Sequence, residues 1–472
     1  MQGYASRDSA LQILMDHETT GAFLKDLFPT LTKDLSPPDK ALVREMTLGV
    51  IRNLTLLDSN IDAFAEKKPT GVLRAILRLT AYQILFMDVP DFASVNVGVE
   101  LAKKYMGMAP AGFVNVVLKK ISQQGLKRET GHSFSSMSVN YSHPEWLLRR
   151  WFKRLGRKGL MQALERNNQE APVWIRVNVK RVQKSVLQNR NENADEKAGA
   201  FSDSELAIEK VQAELKELGI ETERDGFAPV FLRIVTGARG GGGRAVLQSN
   251  LFISGHIAFQ DPAAWLIAEL ADWKSGQSFL DLCSAPGGKA ACILERDYYL
   301  NPNSEIKSEA IICNDISYRR LQLIRDAKER LGHKNLLPIV MDPAQNALRT
   351  VFDVVVIDAP CSNLGVLRRR PEARWSHSAA DLRKFAGKQL ALLNEAAKLT
   401  ASKGRMIYAT CSPEEEETVD VIGAFLKANE DWTLFDAAEN LPAFAVKNGF
   451  LWLHPGESDY DGFFGACLVR KS

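Results

Sequence analysis

The sequence predicts a Rossmann-like α/β domain in its second half, preceded by an all-helical domain and a small α+β domain. Three observations carry this. From about residue 255 onward, strand-like and helix-like stretches alternate, as in a doubly wound parallel sheet. The first of these strands, Ser278 to Leu282, runs straight into a turn with two glycines and then an apolar helix. Residues 1–130 show helical periodicity only. At 472 residues the chain is too long for one core. The expected boundaries are 1–130, 131–250 and 251–472.

In the first segment Leu73, Ile76, Leu77, Ala81, Ile84 and Leu85 recur at helical spacing, with Arg74 and Arg78 expected on the opposite face. Pro38, Pro69 and Pro90 punctuate the pattern into six or seven helices. The polar stretch GHSFSSMSVN (131–140) reads as a linker. A helix then starts near Pro144 and carries Arg149, Arg150, Lys153, Arg154, Arg157 and Lys158, with Trp146 and Trp151 interleaved. Indole and guanidinium together suit stacking on exposed bases, although each Trp reads first as a core anchor. Val173, Ile175 and Val177 alternate as a strand, followed by a polar insertion, a helix from about Ser204 and the strand PVFLRIV. The glycine-rich run at 237–245 reads as a hairpin tip.

Composition excludes several classes. Hydrophobic content of 45% and charged content of 25% are those of a globular protein. The most apolar stretch, Val72 to Met87, contains Arg74 and Arg78, so no membrane span is expected. All six cysteines lie in the second half without a C-x-x-C pair, which suggests reduced thiols, a cytoplasmic setting and no metal. Net charge is only +3, yet residues 101–184 hold 17 Lys and Arg against 4 Asp and Glu, a local +13. Such a segment is the footprint expected of a nucleic-acid partner. Nothing in the sequence sets the oligomeric state.

The glycine turn Ala285-Pro286-Gly287-Gly288-Lys289 lacks the dinucleotide fingerprint G-x-G-x-x-G. It also lacks the P-loop's first glycine and its Ser or Thr, having Cys283 and Ala290 in those places. An S-adenosylmethionine cradle remains, and carboxylates at later strand ends support it. Asp315 lies 26 residues past the turn, where a carboxylate can hold ribose hydroxyls. Asp342 ends the next strand, within reach of an adenine amino group.

The fourth and fifth strands end in Asp358-Ala359-Pro360-Cys361-Ser362 and Ala409-Thr410-Cys411-Ser412. Two thiols beside a methyl donor require a chemical reason, and a cytosine ring supplies one. Its carbon 5 becomes nucleophilic only after a thiolate adds to carbon 6. A thiol of pKa ~8.5 needs activation. Ser412, Pro413 and Glu415 have the spacing of a helix start, whose dipole would favour thiolate at Cys411, while the run Glu414 to Glu417 opposes it.

The motifs LDLCSAPGGKA, NDIS, VIDAPCSNLGVLRRRPEARW, YATCSPEEEE and DGFFGACL together resemble the RNA 5-methylcytosine methyltransferases of the Nop2/Sun group. The match covers residues 250–472. PVWIRVN is similar to the small domain that precedes this catalytic domain. The helical N-terminus more loosely resembles the NusB-like RNA-binding domain of the bacterial Sun/Fmu (RsmB-type) 16S ribosomal RNA enzymes. The resemblance implies donor contacts from Cys283, Ser284, Ala285, Pro286, Gly287, Gly288, Lys289, Asp315, Asp342 and Asp358. It implies Cys411 as nucleophile, Cys361 in product release, and Asp358 with Lys289 holding a flipped cytosine. Arg368, Arg369, Arg370 and Arg374 are expected to meet RNA phosphates, as are Arg149, Arg150, Lys153 and Arg154. The chain departs from the pattern at Asn363 (usually a small residue), Glu416 (often Asn) and Ser284 (commonly Ala).

Methylation of ribosomal RNA at cytosine carbon 5 is the leading expectation. A transfer RNA cytosine methyltransferase shares the chemistry, and a non-catalytic RNA-binding assembly factor shares the fold. A small-molecule or protein methyltransferase would leave the +13 segment unexplained.

Overall fold

The computed structural model describes residues 3–189, 203–235, 242–302, 310–345 and 348–471. The polar insertion and most of the glycine-rich run lie outside them. The chain forms two compact units: Met1–Glu170 with Val366–Ser378, and Ala171–Gly365 with Ala379–Ser472. Residues 131–170 therefore pack with the helical unit, whereas the sequence grouped them with the small α+β domain.

In the first unit seven helices run from Tyr4–Thr20 to Met108–Gln124 around Leu11, Met46, Leu57, Ile76, Leu101 and Leu118. The helix Gly71–Phe86 is buried on more sides than its pattern suggested. Arg74 is buried and bonds Asp62 at 2.7 Å, Asp58 at 3.2 Å and the Pro69 carbonyl at 2.8 Å. Arg78 grips Asp58 through two bonds of 2.8 and 2.7 Å. Paired carboxylates on the helix Leu54–Asp62 thus bring both arginines inward, which hydrophobic spacing alone could not foretell.

The expected linker holds a helix, Phe134–Tyr141, started by Ser133, whose hydroxyl accepts from the Ser136 amide at 3.0 Å. The basic helix Glu145–Asn168 is broken at Gly156, where φ is 66°. Trp151 is buried edge-on to His143, a core anchor, while Trp146 is half-buried.

The second unit begins with four antiparallel strands, β1 (Trp174–Val177), β2 (Thr222–Arg224), β3 (Phe231–Ile234) and β4 (Ile257–Phe259), in the order β2-β3-β1-β4. The large sheet has nine: β5 (Phe279–Asp281), β6 (Ile311–Asn314), β7 (Leu336–Ile339), β8 (Phe352–Asp358), β9 (Thr400–Thr410), β10 (Trp432–Phe435), β11 (Val446–Lys447), β12 (Phe450–Leu453) and β13 (Phe463–Arg470). Their order is β11-β12-β13-β9-β8-β5-β6-β7, with β10 also on β13. Strands β5 to β9 are parallel; β13 joins β9 antiparallel.

Val354 and Val356 of β8 enter one core and Val355 and Ile357 another, so the strand is covered on both faces. The chain runs β5-β6-β7 to one side, then returns to β8-β9 on the other. That reversal opens a crevice at the carboxyl ends of β5 and β8, where ligands of such sheets bind. Among the described residues no helix is long and apolar enough to cross a membrane.

Candidate active site

The carboxyl ends of the parallel strands gather most of the sequence-derived residues. After β5 the chain turns through Cys283 to Gly287 and enters the helix Gly288–Leu300. Gly287 has φ of 91°, and a Cβ there would lie 3.3 Å from Ile324 Cγ2, so both backbone and space favour glycine. The turn is pinned from the next strand. The Ser284 amide donates to the Asn314 carbonyl at 2.8 Å, and Asn314 Nδ2 donates to the Leu282 carbonyl at 2.9 Å.

Asp315 is buried just past β6, accepting from the Ser317 amide at 2.9 Å with Arg320 at 3.4 Å. Arg320 also donates to the Ala285 carbonyl at 2.9 Å, which ties the turn to the Asp315 loop. Asp342 lies beyond β7 in a short turn and accepts from the Ala344 amide at 3.0 Å.

Asp281, the last residue of β5, is the group the sequence reading passed over. It is buried, and neither carboxylate oxygen has a hydrogen-bond partner among the described residues. Burial, then the nearby Asp358 charge, push its carboxyl up to about 7. Its position at a strand end, two residues before Cys283, was the available signal.

Asp358 ends β8 and holds Lys289 Nζ at 2.6 Å. Burial would lower the Lys289 pKa, but Asp358 outweighs it and raises it. Beyond this pair lie the two thiols, with Cys361 Sγ and Cys411 Sγ 2.9 Å apart. Cys411 also donates to Asn363 Oδ1 at 3.3 Å, and Asn363 Nδ2 donates to the Cys361 carbonyl at 3.0 Å. Asn363 has φ of 61°, a left-handed conformation that asparagine tolerates, so its departure from the family pattern fits the turn.

The contact between the thiols lowers the pKa on Cys361 and, with burial and the Asp358 charge, raises that of Cys411; Lys289 partly opposes the second effect. These shifts belong to the pair: its first proton leaves more easily and its second is held more tightly.

Two expectations are corrected. The residues after Cys411 do not start an α-helix: a 3₁₀ turn occupies Glu415–Glu417 and the α-helix is Val419–Ala428. Ser412 Oγ donates to Glu417 and accepts from the Glu414 amide at 3.2 Å, closing a turn rather than capping an α-helix, and no helix dipole is aimed at Cys411. Arg374 and Arg368 do not present a phosphate-binding surface. Arg374 is fully buried in the helical unit, donating to the Ser142 carbonyl at 3.0 Å, Asn168 Oδ1 at 2.9 Å and the Asn167 carbonyl at 3.2 Å. Burial, then Arg52, lower its pKa to about 9. Arg368 is buried too, its carbonyl accepting from Arg52 at 3.2 Å. Arg369 and Arg370 are half-buried in the same segment.

On the basic helix, Arg149 and Lys153 are exposed and Arg150 and Arg154 are half-buried. Arg149 bonds Glu145 at 2.7 Å and lies over the Phe134 ring.

Comparison with known proteins places this architecture. The model of the 16S rRNA methyltransferase RsmB/F matches residues 268–469, the NusB family residues 4–123, and the RsmF/B-like ferredoxin-like domain residues 143–209. A ribosomal RNA small subunit methyltransferase B of Escherichia coli is 30% identical over 98% of both chains. The chain belongs to the RsmB/F family of 16S rRNA methyltransferases. A probable methyltransferase B of Bacillus subtilis is 28% identical to this RsmB/F-family chain over the full length of both. The family membership makes it an RNA methyltransferase with a NusB-like helical N-terminus. Among solved structures, that of PH0851 covers 100% of this chain and 99% of its own, at a TM-score of 0.77 and 22% identity. The structure of NSun6 from Pyrococcus horikoshii with SFG covers 70% of this chain and 99% of its own, at 0.55 and 19%.

Proposed function

We propose that this chain transfers the methyl group of S-adenosylmethionine to carbon 5 of a cytosine in 16S ribosomal RNA, through a covalent adduct on Cys411. The observation that carries the reading is the thiol pair, 2.9 Å apart at the ends of adjacent parallel strands and beside the Lys289–Asp358 ion pair. Such a site has no use in methylating an amine, whose nitrogen already carries a lone pair. It suits a carbon that must first be made nucleophilic.

The cradle fits the donor on two counts. Gly287 leaves the backbone open at the helix N-terminus, and Asp281 offers a buried carboxylate to a cation. In this reading Asp281 faces the donor's amino group, the turn 283–289 its carboxylate, Asp315 its ribose and Asp342 its adenine. The NSun6 relative was crystallised with SFG, an S-adenosylmethionine analogue, on the same fold. When bound, S-adenosylmethionine supplies an electrophilic methyl group carried on a sulfonium.

Loss of one proton from the pair to solvent, with the other held on Cys361, leaves the attacking thiolate on Cys411, where Lys289 favours negative charge. The thiolate forms a bond to carbon 6, and the displaced π electrons make carbon 5 the nucleophile that takes the methyl group. Lys289 and Asp358 present a donor and an acceptor to the base's ring nitrogen and exocyclic amine. Loss of the carbon 5 proton to a base then restores the double bond and expels Cys411. Cys361, in contact with the leaving sulfur, assists that release.

The experiment is bisulfite mapping of total RNA from a strain lacking this chain. One 16S cytosine should lose its mark and regain it with the wild-type chain, but not with Cys411→Ser. Loss in transfer RNA instead would overturn the substrate, and no loss anywhere would overturn the reaction.

Asp281→Asn should weaken donor binding by about ten- to a hundredfold, the worth of a buried charge-assisted hydrogen bond. It should also change stability. A carboxyl whose folded pKa of about 7 exceeds its unfolded value of 3.8 destabilises the protein progressively as pH rises between them. The cost saturates above the folded value at roughly 4 kcal/mol. Ligand-free Asp281→Asn should therefore gain Tm over wild type as pH rises from 4 to 7. A constant difference would show that Asp281 is not the titrating group.

The basic helix predicts RNA affinity that falls steeply with salt. Charge reversal of Arg149 and Lys153 together should weaken binding on the order of tenfold at moderate salt and flatten the log–log salt slope by roughly two units. Unchanged filter-binding isotherms would remove this helix from the RNA surface.

A further inference from the structure

Glu417 joins the two turns that carry the thiols. Its side chain is fully buried. One oxygen accepts from the Ser362 amide at 2.9 Å and from Gln389 Nε2 at 3.1 Å; the other accepts from Ser362 Oγ and Ser412 Oγ, each at 2.5 Å. Ser362 follows Cys361 and Ser412 follows Cys411. The two hydroxyls are 3.2 Å apart, and Gln389 also donates to the Pro360 carbonyl at 3.0 Å. The Tyr408 hydroxyl, rising from β9, donates to the Glu417 carbonyl at 2.7 Å and fixes the backbone of the clamp.

Four donors fill the lone-pair sites of one carboxylate. A buried charge so enclosed adds little stability over a well-packed apolar residue, so its presence needs another explanation. The parallel register of β8 and β9 ends at Asp358 opposite Ala409. Beyond it, backbone bonds cross from the Ala359 amide to the Ala409 carbonyl at 2.8 Å and from the Gly365 amide to the Cys411 carbonyl at 2.9 Å. Glu417 bridges the same two turns through Ser362 and Ser412, each one residue past a cysteine.

We propose that Glu417 is a positioning residue that holds the Cys361 and Cys411 turns together and so sets the separation of their sulfurs. As a step in catalysis the inference rests on the cysteine reaction proposed above. As a statement about geometry it can be tested without that reaction.

The probe is phenylarsine oxide, whose arsenic forms bonds to two neighbouring sulfurs and releases its oxygen as water with the two thiol protons. Mass mapping of the wild type should find one arsenic linking the Cys361 and Cys411 peptides, and Cys361→Ser should abolish the link. Glu417→Ala should lose the link and about a hundredfold in kcat, the cost of a misplacement near 1 Å. Its KM for RNA and for the methyl donor should stay within about twofold, because the clamp touches neither. Glu417→Asp, one methylene too short to reach both turns, should behave like alanine.

Glu417→Gln separates position from charge. Its carbonyl can keep the Ser362 amide and Gln389, while its amide faces two hydroxyls able to rotate and accept. It should keep the arsenic link and retain kcat within about tenfold, the value of one weakened hydrogen bond. Donor binding shows that each variant is folded. Should Glu417→Ala lose it, Ser412→Ala, which cuts one arm of the clamp, should weaken the link and kcat in its place. An alanine variant with the wild-type link and kcat would overturn the proposal. So would a glutamine variant as inactive as alanine with its link intact, since charge would then be what matters. Loss of the link in Glu417→Ala beside full activity in Cys411→Ser would overturn the cysteine reaction and leave the clamp standing.

Discussion

Cys411→Ser should lose turnover by on the order of 10⁴-fold or more, and should form no covalent complex with RNA containing 5-fluorocytosine. The size follows from removing the one group that makes carbon 5 reactive. A serine hydroxyl is far harder to ionise than a thiol, and Asn363 and Lys289 cannot make up that difference. Donor binding should be intact, because Cys411 lies on β9's turn and the cradle on β5's. Denaturing gel mobility of the fluorinated RNA gives the answer directly: undiminished capture by Cys411→Ser would move the nucleophile to Cys361, the thiol on which the lower pKa falls.

Cys361→Ser should separate the two halves of the reaction. Attack by Cys411 and methyl transfer should continue, while elimination slows by about a hundredfold, the usual worth of a positioned acid–base group. The observable is a protein–RNA adduct that accumulates on ordinary cytosine RNA with donor present, and that Cys411→Ser eliminates when combined with it. A freely turning-over Cys361→Ser without adduct would remove Cys361 from the release step. The serine hydroxyl also breaks the shared-proton contact, so the pH at which Cys411 is alkylated by iodoacetamide should shift in this variant.

What the sequence made legible follows the rule for parallel sheets. Asp315, Asp358, Cys361 and Cys411 each follow an apolar run that had to be a buried strand, and polar residues past such runs collect at one edge. Local patterns that depend on distant partners were not legible. The run Leu367 to Arg374 looks like a basic surface; its burial is decided by carbonyls at Ser142 and Asn167, more than 200 positions away. Ser412-Pro413 resembles a helix cap, but the serine hydroxyl donates to Glu417 and accepts from the amide of Glu414, two residues on, which closes a turn instead of a helix. The helix Phe134–Tyr141 hid in a serine-rich stretch because its one strong signal, Ser133, is equally common in loops. Asp281 hid inside an apolar strand, where a carboxylate reads as an exception to be ignored.

The thirteen residues Val366–Ser378 belong to the helical unit although they are encoded in the middle of the methyltransferase sequence. The chain leaves the catalytic unit four residues after Cys361 and returns to it before the helix Ala379–Leu399. The N-terminal portion is thus not a detachable module. A fragment ending at Glu170 would lack Arg374, leaving the carbonyls of Ser142 and Asn167 without the guanidinium that caps them, and would lack Trp375 against Ile51. Inheritance of the two halves is correspondingly constrained. A recombination that exchanged the NusB-like portion between distant relatives at a single junction would pair one parent's helices with the other parent's insert. Both portions must descend together, or the insert must travel with the helices it completes.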